Sequence, residues 1–191
     1  MALDVYQAVN NIGSAISLNK VLMGRKALND ALAPMDNQRT ALLNTQDNVD
    51  LIDSLKGLFQ DSEAIKKQYK EGIMGRTAGM DFYENTLLAN QATGTAASAT
   101  TYTVNGANQT GSGVIVATGA TTFKRGDVVT FAGCNRVHPE TKADTGVLQQ
   151  FVVTTDHPGG AGTLQIAPAI VTSGAYQNVS ASPTNGGAVV K

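Results

Sequence analysis

The stretch Phe123-Lys124-Arg125-Gly126-Asp127-Val128-Val129-Thr130-Phe131-Ala132-Gly133 decides how the second half of the chain folds. Gly126 between charged residues is turn chemistry, and the run that follows is rich in β-branched and aromatic residues with a period of two, the pattern of a half-buried strand. The same grammar recurs on both sides. Short strands are expected at Tyr102 to Val104, Val114 to Ala117, Val128 to Phe131, Val147 to Thr154 and Leu164 to Ile166. Turn signals separate them at Asn105-Gly106, Arg125-Gly126-Asp127 and Pro158-Gly159-Gly160. Strands of this length and spacing imply a small sandwich or barrel of about 90 residues.

Upstream the period changes. Val5, Val9, Ile12 and Ile16, then Val21, Leu22, Leu28 and Leu32, follow helical spacing from Asp4 to Ala33, one long helix or two stacked ones, with Gly24 weakening the middle and Pro34 ending it. Thr40-Ala41-Leu42-Leu43 is short and apolar, as a buried strand would be. Asn44 or Thr45 then caps a helix whose apolar side is Val49, Ile52, Leu55 and Phe59, with Asp47 in its first turn. Ser62-Glu63 opens a further helix through Ile65 and Tyr69 to Gly72, and Met80 to Tyr83 reads as a strand. Helices alternating with strands give an α/β layer. Gln91 to Thr101, a run of Ala, Thr, Gly and Ser without apolar period, has the composition of a flexible connector.

Charge separates the same halves. Residues 1–90 carry nine Lys/Arg and eleven Asp/Glu, whereas 91–191 carry five and four. The net charge of -1 leaves no clustered basic face for nucleic acid or an anionic membrane. No run approaches the roughly 20 apolar residues that span a bilayer, and the chain is expected to be soluble and made in a cytoplasm. The single cysteine, Cys134, has no disulfide partner, and with only His138 and His157 no zinc ligand set can be assembled. Neither metal nor cofactor is expected.

Three motifs invite a chemical reading. Gly72-Ile73-Met74-Gly75-Arg76-Thr77 is a poor phosphate loop, since Lys70 stands where the first glycine belongs and Arg76 replaces the lysine. Cys134 and His138 are near in sequence, but an apolar cysteine closing a strand is ordinarily core filling and His138 beside Pro139 belongs to a loop. Asp47, Asp50 and Asp53 share a helix face as a solvated surface, without the alternating ligands and central glycine of a calcium loop. No catalytic residue is expected.

The order of these segments resembles a known family, the coat proteins of tailed phages with the Hong Kong 97-type capsid fold, in particular the podovirus P-twenty-two-type group with its immunoglobulin-like (telokin-like) insertion domain. Phe123 to Gly133 looks like that domain's turn and strand pair, Val147 to Thr155 and Leu164 to Pro168 like the next strands, and Ala175-Tyr176-Gln177-Asn178-Val179 like its exit. Arg39 to Asn44 with the following helix, then Gly72 to Tyr83, is similar to the capsid A-domain. The resemblance implies an α+β chain: an A-domain-like α/β segment over 1–90, a linker over 91–101 and an immunoglobulin-like β insertion over 102–191. It also implies a structural subunit of the virion capsid, not an enzyme, that assembles with other coat subunits into pentamers and hexamers and meets scaffolding and portal proteins. Compared with such relatives, the Asn105 to Gly113 loop is short. The apolar Ala188-Val189-Val190 at the end of the sequence suggests a longer subunit of which this is a part. The alternative is a particle-displayed binding or adhesion module, which would need some of Tyr102, Phe123, Phe131, Phe151 and Tyr176 on one exposed face.

Overall fold

The computed structural model describes residues 5–11, 13–55, 75–88 and 91–191. They form two compact units, Val9–Asn90 and Gln91–Lys191, the latter joined by the residues up to Ala8.

The first unit is a small α/β layer. Helix α1 covers Leu18–Asp30, much less than the expected span from Asp4 to Ala33. Residues 5–11 are irregular, and the reason lies just after them: the Asn11 side chain donates to Ser14 O (2.9 Å) and the Ser14 amide to Asn11 O (3.3 Å), closing a turn at Gly13. Asn, Ser and Gly offer the backbone such local partners and so interrupt an apolar pattern that would otherwise read as helix. At the other end Leu32 adopts φ 58°, and the Ala33 amide bonds Leu28 O at 3.0 Å before Pro34 turns the chain away.

Strand β1 is Thr40–Leu43, a strand as expected but not a buried one, since only Leu43 is buried and Leu42 is exposed, and helix α2 is Thr45–Leu55. Asn44 is its cap: the Asn44 Oδ1 accepts the Asp47 amide at 2.7 Å. The buried stripe of α2 is Asn48, Leu51 and Leu55, whereas Val49 faces solvent. The expected stripe through Val49 was displaced because Asn48, a poor core residue alone, donates to Glu84 Oε2 at 2.6 Å and can be buried. Phe59 and the expected helix from Ser62 to Tyr69 lie outside the described residues. Strands β2 (Arg76–Thr77) and β3 (Met80–Glu84) form a hairpin whose turn residues, Ala78 and Gly79, both have positive φ. The sheet order is β1-β3-β2, with β1 parallel to β3. Val21, Leu43, Leu51, Leu55, Met80 and Phe82 make the core, so both helices cover this sheet.

The second unit is a closed antiparallel barrel. Strands β4 (Ala99–Val104), β5 (Gly111–Ala117), β6 (Val128–Val137), β7 (Asp144–Val153), β8 (Gly162–Ile170) and β9 (Ala188–Val190) close in the order β4-β5-β8-β7-β6-β9. An immunoglobulin sandwich has two sheets with open edges. Here the ring of pairings is complete, the barrel alternative of the sequence reading. Alternate residues point inward: Tyr102 and Val104, Val114 and Val116, Val129 and Phe131, Phe151 and Val153, Leu164 and Ile166, and Val189. Each such side chain contributes about 1.5–3 kcal/mol of burial.

Two expectations fail here. Residues 91–101 are no connector: Ala99–Thr101 belong to β4, Ala96 is buried, and its amide donates to Thr122 O at 3.0 Å. Small residues were needed because this strap runs against the barrel wall; a Cβ on Gly94 would stand 2.2 Å from Thr122 O. Nor does the chain leave the domain at Ala175 to Val179. It continues to β9, which pairs with both β4 and β6 and closes the ring.

Candidate functional site: the barrel mouth and the protruding lobe

Because β9 is antiparallel to β4 and β6, its end lies beside both of their beginnings. At this mouth the turn Lys124-Arg125-Gly126-Asp127 closes with the Asp127 amide on Lys124 O (3.0 Å) and Gly126 at φ 95°. It delivers the Asp127 carboxylate into the interior, where the residue is 2% exposed. Its Oδ2 accepts the Gly94 amide and the Lys124 amide, each at 2.9 Å, and lies 3.4 Å from Lys191 Nζ. Lys191 also donates to Gly94 O (2.8 Å) and Ala96 O (3.1 Å), and its amide to Ser98 O (2.9 Å). One buried ion pair thus fastens the strap before β4, the start of β6 and the end of β9 together. The turn signal Arg125-Gly126-Asp127 is therefore a real turn, and its aspartate points inside.

Around the mouth His157 is buried against Tyr102 and Phe123, edge-on to both rings at centroid distances of 5.7 and 6.3 Å. Burial pushes its pKa down. The Tyr102 hydroxyl donates to Thr121 O, and desolvation raises its pKa. Gly119 sits under this ring, where a Cβ would fall 2.1 Å from ring carbons.

At the opposite end lies the β6–β7 hairpin. The register steps from Thr130↔Gln150 to Asn135↔Leu148, so Phe131 to Cys134 bulge opposite Gln149 alone. Beyond the bulge, the loop 171–180 braces β6: the Val137 amide bonds Asn178 O at 3.2 Å, the Ser180 amide bonds Asn135 O at 2.9 Å, and Lys142 Nζ reaches Gln177 O at 3.3 Å. Asp144 through Leu148 are exposed along β7, and Tyr176, 89% exposed, stands on the bracing loop. The Gly146 amide, then the Asn135 side chain, hold the Asp144 carboxyl below its usual range. The Asn105 to Gly113 loop is tied to itself: the Gln109 amide nitrogen donates to Asn105 O (3.0 Å) and its oxygen accepts the Ile115 amide at 2.6 Å.

The residues weighed for chemistry are dispersed. Cys134 is in the barrel core, its thiol pushed up to about 12 by desolvation, while His138 sits in the hairpin turn, its Nδ1 accepting the Glu140 and Thr141 amides at 3.3 Å. Asp47, Asp50 and Asp53 are on α2, and among the described residues no group of three His, Cys, Asp or Glu side chains could hold a metal ion. Of Gly72 to Thr77, the described part is Gly75 and strand β2, where Arg76 pairs with Asp81 at 3.4 Å. Tyr102, Phe123, Phe131 and Phe151 are all inside the barrel. No described helix is long and apolar enough to cross a membrane. Sequence reasoning missed the Asp127–Lys191 fastening. Its signal was a lone lysine after an apolar triplet and an aspartate between a glycine and the strand.

Among solved structures, the CUS-3 coat protein I-domain is 28% identical over 49% of this chain and 96% of that one, with a TM-score of 0.38. No curated protein matches. The family described as P22 coat protein, gene protein 5, matches residues 22–190. That match spans the α/β layer and the barrel from α1 to β9, and the chain belongs to the P22 coat protein family.

Proposed function

We propose that this chain contributes to an icosahedral phage or prophage shell by self-assembly with other coat subunits, its α/β layer forming part of the capsomer and its barrel acting as an inserted, projecting domain. Membership of a coat protein family carries the structural role. The observation that supports an inserted barrel is the pairing of its first and last strands: Ala99 is opposite Val190, and the Lys191 amide bonds Ser98 O. A chain can therefore enter and leave the domain at one place without disturbing the ring. Pentamers and hexamers, with scaffolding and portal proteins as further partners, are part of the same reading, as is synthesis in the host cytoplasm.

In such a shell, specificity comes from complementary surface repeated by symmetry, not from a reactive group. Expression of the coat protein with its scaffolding protein, followed by electron microscopy, tests the proposal. Closed shells or tubes are expected; their consistent absence at every expression level refutes it.

A further inference from the structure

The ion pair at the barrel mouth is arranged for chemistry as well as for attraction. Asp127 and Lys191 meet out of water, their side chains 1% and 9% exposed. The two carboxylate oxygens are held unequally. Oδ2 accepts the Gly94 and Lys124 amides, both at 2.9 Å, whereas the buried Oδ1 has no partner among the described residues. Two backbone N–H groups converging on one oxygen are the donors of an oxyanion hole, which stabilises that oxygen as charge builds on it during attack at the adjoining carbon. Oδ1, bound to nothing, is the oxygen that can depart.

Lys191 supplies a nucleophile beside that carbon. Its Nζ lies 3.4 Å from Oδ2, and the same nitrogen donates to Gly94 O at 2.8 Å and to Ala96 O at 3.1 Å. The three N–H bonds of the ammonium therefore have three oxygens to point at. Loss of the proton that faces Asp127 leaves two N–H bonds on the two carbonyls and turns the amine lone pair toward the carboxyl group. Groups fixed this closely react with effective molarities of about 10⁵ M or more, which offsets the ordinary preference of an amide for hydrolysis in water.

We propose that Lys191 and Asp127 condense to an intramolecular isopeptide bond that locks the barrel shut. Nζ forms a bond to Cγ, the Cγ–Oδ1 bond breaks, and the two protons that the ammonium gives up leave on Oδ1 as water. No oxidant, metal or second reactant enters. The amide that results is neutral, keeps one N–H for the Gly94 or Ala96 carbonyl, and leaves its oxygen under the Gly94 and Lys124 amides. It ties the end of β9 to the turn before β6 by a covalent bond, so the ring cannot open at its closing strand. The bond forms within one chain and is independent of shell assembly.

Intact-mass spectrometry of the folded full chain, incubated at neutral pH, tests it. The expected mass is one water below that of the sequence, and proteolysis should release a branched peptide joining the Asp127 and Lys191 segments. Lys191→Arg keeps the positive charge but offers no comparable nucleophile, and Asp127→Ala removes the carbon under attack; both should keep the full mass. A folded unsubstituted chain of full mass overturns the proposal, whatever the variants do. So does a water deficit that survives Lys191→Arg, the mark of a succinimide or another pair, and so does a branched peptide that lacks either residue.

Discussion

Replacing Lys191 by methionine keeps the aliphatic stem and removes the ammonium from the barrel mouth. Three contacts vanish: the 3.4 Å pair with Asp127 Oδ2 and the hydrogen bonds to Gly94 O and Ala96 O. Breaking a buried ion pair costs about 3–5 kcal/mol when the surviving charge is stranded. Asp127 is not fully stranded, since the Gly94 and Lys124 amides still point at Oδ2. Its Oδ1, however, already lacks a partner. The loss should fall at the lower end, about 3 kcal/mol, equivalent to a Tm drop of roughly 10–20 °C for a domain of this size. Urea unfolding followed by circular dichroism gives the total, and hydrogen exchange at the Lys191 amide, bonded to Ser98 O, localises it to the closing strand. Asp127→Asn completes a double-mutant cycle with a coupling of at least about 1 kcal/mol. A Lys191→Met loss below about 0.5 kcal/mol, the range of an exposed pair, would refute the claim that this contact fastens the barrel.

Four further outcomes follow from the same packing. Gly119→Ala forces a Cβ into the Tyr102 ring and should lower barrel stability by about 2–3 kcal/mol in denaturant titration. Phe131→Ala, which empties a buried ring packed 5.5 Å from Phe151, should lose about 3–5 kcal/mol in the same assay. Cys134 is raised to about 12 in the fold against roughly 8.5 unfolded, so its contribution is complete below the unfolded value and drains away as pH climbs from there to about 12. Alkaline unfolding curves should show that slope, and Cys134→Val should flatten it. His157 is depressed by burial, so its contribution is present above the unfolded value near 6.5 and is lost as pH falls through the folded one. Acid titrations of His157→Phe should lack that step.

Local signals carried much of this fold. Thr40-Ala41-Leu42-Leu43 could be read as β1 because polar residues bound a run too short for a helix, and Asn44 could be read as a cap because its side chain acts on its own next turn. The barrel strands from Tyr102 to Ile166 announced themselves by alternation between glycine turns. What stayed hidden depends on distant partners. Val49 and Asn48 are adjacent, and which one is buried was decided by Glu84, thirty-six positions away. Gln91 to Ser98 looked unstructured because small residues suit a linker and a strap pressed against a wall equally well. Ala188-Val189-Val190 could not be read as a closing strand because its two strand partners lie far back in the chain. As for sites, Cys134 was legible as core filling and His138 as a loop residue, but the role of Asp127 needed Lys191 beside it.

Closure by the last strand also sets an order in time. During synthesis β4 and β6 emerge with the edges that β9 will cover still bare, and Ala99 cannot meet Val190 until the whole domain has been translated. Five strands must wait in an open, strand-accepting state, which is when long-range β structures are most exposed to wrong partners. Where copies are made in quantity side by side, the interval before β9 arrives is the one most open to wrong pairing.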